Sequence, residues 1–192
     1  MSSVEKLDEA VLAQYLEAAV PGFKGPLAAS KFPGGQSNPT FRIDAESGTY
    51  VLRRQPPGKL LKSAHAVDRE YRVLDALRET DVPVAGVYHL CEDPAIIGSM
   101  FYLMEFCEGN VFWNPALPEI AEPHTRTQMY DQMARTLAAI HSVDLDAAAR
   151  GRGARTGALG PAIRSDTIRC QHRIAYRAFG FCADRACRAR YR

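Results

Sequence analysis

Four short segments hold residues whose types and order suit the binding of a phosphorylated heterocycle. Phe32–Thr40 reads FPGGQSNPT. Gly34 and Gly35 admit positive φ and let backbone N–H groups approach an anion closely, and Ser37 and Asn38 add short donors. No Gly-Lys-Ser/Thr follows, so this is not a Walker A loop, nor is it G-x-G-x-x-G; taken alone it also fits an ordinary hairpin turn. In Tyr50-Val51-Leu52-Arg53-Arg54 a cation on a strand beneath that turn can hold phosphate oxygens. Residues 51 and 53 share one strand face and 50, 52 and 54 the other, and alternation alone leaves open which face is inward. Glu70, in Arg69-Glu70-Tyr71, lies on the next predicted helix, where it can reach the strand arginine and hold it extended. Last, Phe101–Asn110 reads FYLMEFCEGN: an apolar strand that breaks at Glu108-Gly109 and can offer a backbone C=O and N–H to a flat ring such as adenine.

The bounds are those of one domain or slightly more. A chain of 192 residues can bury a sizeable core. No apolar run approaches the roughly 18 residues needed to span a bilayer, and MSSVEKLDEA shows no basic-then-apolar leader pattern. Five cysteines without a regular framework suit a reducing cytosol, so a cytoplasmic location is expected. The formal charge of +2 hides a split. Residues 1–146 carry 13 basic and 20 acidic residues, a net of −7, whereas 147–192 carry 11 Arg, no Lys and 2 Asp, a net of +9.

The elements that must position the four segments follow from periodicity. Leu7–Val20 is predicted helical, with Leu7, Val11, Leu12, Tyr15 and Leu16 on one face and Pro21-Gly22 as terminator. Strands are predicted over Leu27–Phe32, Thr40–Asp44, Thr49–Arg54, Val84–Cys91 and Met100–Phe106. Helices are predicted over Ala66–Glu79 and Thr125–His141, the latter with a stripe of Met129, Met133, Leu137 and Ile140. The class is α+β, with a mainly antiparallel sheet.

The ordered set resembles the aminoglycoside phosphotransferase-like family of small-molecule kinases, and within it the kinase-like domain fused to some acyl-CoA dehydrogenases. The stretches that carry the likeness are FPGGQSNPTF, YVLRRQPPGKLLKSAHAVDREYRVLDAL, FYLMEFCEG and LAAIHSVD, within residues 7–146. The resemblance implies a protein-kinase-like small lobe with a hinge. It implies that Arg53 sits where the family's phosphate-holding cation sits, with Glu70 as its helix partner. Gly34, Gly35, Gln36, Ser37 and Asn38 would cover the phosphates of ATP. Met104 would line the back of the adenine pocket, and the Glu105 C=O and Cys107 N–H would bond its edge. Arg in place of the usual Lys turns a point charge into a fork.

The family's catalytic loop reads His-Gly-Asp with an Asn five residues beyond, followed later by an Asp that holds Mg²⁺. None of His65, His89, His124, His141 or His172 is followed two places later by Asp. No catalytic residue and no metal ligand is therefore assigned. The expected domains are 1–109, small lobe and hinge; 110–146, start of a large lobe; and 147–192, an Arg/Ala-rich tail unrelated to the family, irregular or disordered, as a truncated or frameshifted gene would yield. Nucleotide and a small hydroxyl-bearing acceptor are the expected partners, without a membrane. For the tail, nucleic-acid binding through its arginines, or a zinc site from Cys170, His172, Cys182 and Cys187, lacks a strong motif. A non-catalytic adenine-nucleotide-binding module is the competing reading of the whole.

Overall fold

The computed structural model describes residues 7–33, 38–56 and 65–144. The expectations for residues 147–192, and for the turn at Gly34–Ser37, lie outside these residues. The chain divides into two compact units, one of Met1–Asp75 with Ala85–Phe106, the other of Ala76–Val84 with Cys107–Arg192.

The first unit is built on a five-stranded antiparallel sheet of order β1-β2-β3-β5-β4. The strands are β1 (Leu27–Lys31), β2 (Thr40–Ala45), β3 (Gly48–Arg54), β4 (Val87–Cys91) and β5 (Phe101–Glu105). The α+β class and every predicted element are present, each shortened or extended by a few residues at its ends. β2 and β3 form a tight hairpin closed at Gly48, whose φ of +140° a side chain would strain. The β4–β5 register slips between Val87 and His89, so two residues of β4 meet one of β5 there.

Helix α1 (Glu9–Ala19) starts where the Asp8 carboxylate accepts the Val11 N–H at 3.1 Å, satisfying a donor left unpaired at a helix start. Its Leu12 and Leu16 are buried among Phe41, Ile43, Leu52, Phe101 and Leu103 of the sheet. Alternation explains the set. Phe41, Leu52 and Leu103 are cross-strand partners on one row, so a single face of three strands is apolar. Glu9 also reaches the outer strand, accepting the Ala29 N–H at 2.9 Å. Tyr15 stands edge-on to Phe101 and bonds His89 Nε2 through its hydroxyl at 2.8 Å.

Arg54 shares this apolar face. It is 4% exposed, its guanidinium lies over the Phe41 ring at 5.5 Å, and Nη1 donates to the Ile97 carbonyl at 3.2 Å. Burial pulls its pKa below the usual arginine range. The question that alternation leaves open is thereby answered: residues 50, 52 and 54 face α1, and residues 51 and 53 face the other side.

That other side carries α2 (Val67–Leu77), whose Val67, Val73 and Leu74 are buried. In the second unit α3 (Pro123–His141) opens with Glu122 accepting the His124 N–H and Pro123 in the first turn. Of its predicted stripe, Met129 and Ile140 are buried, but Met133 and Leu137 are 39% and 44% exposed. Among the described residues no helix is long and apolar enough to cross a membrane.

Two outcomes follow for unfolding in denaturant followed by circular dichroism. Leu103→Ala, at the centre of the apolar row, should cost about 2–5 kcal/mol. Burial holds the His89 pKa below its ordinary 6.5. The unfolded chain therefore takes up the proton first, and stability present above about pH 6.5 is lost as pH falls through the folded value. His89→Gln should flatten that dependence.

Candidate functional site

The side of β3 away from α1 gathers charge at a single carboxylate. Glu70 stands in the first turn of α2, where a helix start favours an anion. Arg53 meets it as a fork: Nε donates to Oε2 at 2.6 Å and Nη2 to Oε1 at 3.3 Å. Side-chain exposures of 14% and 24% make this a half-buried pair, screened far less than one on the surface. The third nitrogen, Nη1, donates to Thr40 Oγ1 at 3.0 Å, which ties the guanidinium to β2.

Two further donors converge on Glu70. Tyr102, the cross-strand partner of Arg53, donates its hydroxyl to Oε2 at 3.3 Å. Asn38 Nδ2 donates to Oε1 at 3.0 Å, and Asn38 Oδ1 lies 2.9 Å from His65 Nδ1. Asn38 is 2% exposed, so its amide is a buried member of this network. The Tyr71 ring meets Tyr102 edge-on at 6.1 Å and walls the network on one side. A planar cation held at three nitrogens keeps a fixed orientation. Such a group suits an anion with spaced oxygens better than a mobile ammonium does.

The end of β5 is held as firmly. Met104 pairs across to Val51 and Val87. Glu105 clamps the chain before β4 at two points: its N–H donates to the Gly86 carbonyl at 2.7 Å, and its own carboxylate accepts the Gly86 N–H at 3.1 Å. Phe106 lies under the Arg42 guanidinium at 4.9 Å. Cys107, which opens the longer segment of the second unit, is exposed.

The structure thus brings Arg53, Glu70 and Asn38 together and sets Met104 and Glu105 at the end of the neighbouring strand. Gly34, Gly35, Gln36 and Ser37 lie outside the described residues. Thr40, His65 and Tyr102 are members that the sequence did not single out. Tyr102 was within reach of strand parity, since it shares its face with Met104. His65 had no periodic signal. Among the described residues no group of three or more His, Cys, Asp and Glu could hold a metal ion.

The model of a phosphotransferase enzyme family matches residues 28–190, past the change of composition near Asp146. A plant relative, "Probable acyl-CoA dehydrogenase IBR3" of Arabidopsis thaliana, is 47% identical over 165 residues, covering 82% of this chain and 20% of its own. Acyl-CoA dehydrogenase family member 10 of Mus musculus is 49% identical over 123 residues, 64% of this chain and 11% of its own. A crystal structure from Ralstonia eutropha, provisionally described as an aminoglycoside phosphotransferase, is 41% identical with a TM-score of 0.66. The alignment covers 88% of this chain and 47% of that one, so the chain spans about half of the solved relative and a fifth or less of those two curated relatives.

Removing the shared carboxylate should be costly. Glu70→Ala strips the half-buried Arg53 of its charged partner and should lower stability by about 1–3 kcal/mol in urea unfolding. Arg72→Ala, which breaks contacts to Asp68 and Glu92 from a side chain 44% exposed, should stay within about 0.5 kcal/mol of wild type.

Proposed function

The chain belongs to the phosphotransferase enzyme family, and on that premise we propose that its sheet is the nucleotide-binding half of an ATP-dependent kinase acting on a hydroxyl of a small acceptor. The observation that carries this is the Arg53–Glu70 fork on β3 and α2. In this reading Arg53 holds phosphate oxygens, and Glu70, Thr40 and Tyr102 keep it extended toward them. Met104 and the backbone of Glu105 border the adenine. Gly34, Gly35, Gln36 and Ser37 cover the phosphates. Mg²⁺ would supply neutralisation of phosphate charge in phosphoryl transfer, and no residue among those described is assigned to hold it.

For the acceptor, the words acyl-CoA dehydrogenase in the relatives' names favour a hydroxy-acyl compound over an aminoglycoside. A second reading has one specific support. No His in the sequence is followed two places later by Asp, so no residue is available to assign as the base of a His-Gly-Asp loop. On that ground the function assigned to this chain alone is nucleotide binding, with phosphoryl transfer belonging to the family's fuller assembly.

Calorimetric titration with Mg-ATP tests the assignment. With contacts from β3, α2 and the end of β5, the dissociation constant should be no tighter than about 0.1–1 mM, roughly 4–5.5 kcal/mol. Arg53→Ala should weaken binding about tenfold, and Glu70→Ala less. Equal affinity in wild type and Arg53→Ala would remove Arg53 from the phosphate site. Phosphate transfer to hydroxyl acceptors should stay at background. Turnover that Arg53→Ala abolishes would show that this chain holds catalytic groups of its own.

A further inference from the structure

We infer that His65 is a positioning residue of the nucleotide site, acting through Asn38 and Glu70 on Arg53; this rests on the nucleotide reading above. The chemistry of the contacts fixes the direction of each bond. Ionised Glu70 can only accept, so Asn38 must turn its NH₂ toward Oε1, at 3.0 Å. That leaves Asn38 Oδ1, which also only accepts, facing His65 Nδ1 at 2.9 Å. His65 must therefore carry a proton on Nδ1. Either the Nδ1–H neutral tautomer or the imidazolium supplies that donor.

The backbone aims the ring. His65 has a φ of +59°, in the left-handed region that few side chains other than Asn, Asp and His enter. Its carbonyl accepts the Val67 N–H at 2.9 Å, so the turn that orients the imidazole also starts α2. A residue held in a sparsely populated conformation by the structure around it marks a place where geometry is over-determined. The effect is to tie two passages of chain, the one ending at Asn38 and the one entering α2, to the carboxylate that orients Arg53. Asn38 is buried, so without His65 its Oδ1 loses a donor that water cannot easily replace. The amide is then free to rotate. Its hold on Glu70 loosens, and with it one arm of the Arg53 fork.

The experiment is a cycle on the full chain, with ATP and adenosine as separate probes. His65→Ala should weaken ATP about five- to tenfold and leave adenosine unchanged. His65→Asn, whose amide nitrogen stands where Nδ1 does and which tolerates the left-handed backbone, should recover most of the loss. In an Arg53→Ala background His65→Ala should cost nothing further, because the route it acts through is gone. Long-range proton–nitrogen NMR on the wild type should find the His65 proton on Nδ1. Three results would overturn the inference while leaving the nucleotide reading intact, given that Arg53→Ala still weakens ATP. These are unchanged ATP affinity in His65→Ala, an equal loss with and without Arg53, and a proton on Nε2 alone. A parallel loss of adenosine affinity and of stability would assign His65 to the fold instead. If wild type binds ATP no better than Arg53→Ala does, the nucleotide reading falls and this inference falls with it.

Discussion

A half-buried carboxylate cannot be left to itself. Removed from bulk water, Glu70 needs its lone pairs filled by donors that hold still, and the first unit is organised to supply them. Arg53 comes from β3, Tyr102 from β5 and Asn38 from the passage into β2. Each must arrive in register, so a slip of one residue in any strand would turn its donor to the wrong side of the sheet. The sheet register, the placement of α2 and the orientation of one guanidinium are thus parts of the same constraint. Arg54 shows the contrast on the adjacent residue. Turned to the α1 side, it is enclosed by Phe41 and a backbone carbonyl, and its charge serves the packing of that face.

Much of this was legible from the chain. Met104 and Glu105 came from the family resemblance, whereas Glu70 and a cation at position 53 or 54 could be found because helix placement and chain order are local properties of sequence. Choosing between Arg53 and Arg54 was beyond it, since both faces of β3 carry apolar residues and burial decides only after α1 and α2 have docked. Asn38 shows the same limit. Its residue type suggested a donor to phosphate, yet its amide is engaged by Glu70, 32 positions away in sequence. His65 was illegible, because its contribution depends on a left-handed turn and on a partner 27 positions earlier. The stripe on α3 was read from period alone. Period identified Met129 and Ile140 as inward, but it could not say how far along the helix the covering surface extends.

The family match and the chemistry of the site bear on different questions. The match to residues 28–190 and the TM-score of 0.66 speak for ancestry and architecture. Neither says which anion, which acceptor or which step belongs to this chain, which spans about half of its solved relative. Under the proposed reading the Arg53 fork would suit a ligand with spaced anionic oxygens, and two hydrogen bonds join the neighbouring Glu105 to Gly86.

The bond from Ala29 to Glu9 has a consequence outside the site. β1 is the last strand at its end of the sheet, and a last strand offers N–H groups to any passing extended chain. Here a carboxylate from α1 already occupies one of them, and exposed Lys31 sets a charge at the strand's end. A foreign strand seeking to zip onto this rim would have to evict a helix side chain at the first rung. It would also bring its own carbonyl up against a negative charge. The same glutamate that fastens α1 to the sheet therefore obstructs strand addition along this rim, a hazard that grows with crowding and has nothing to do with nucleotides.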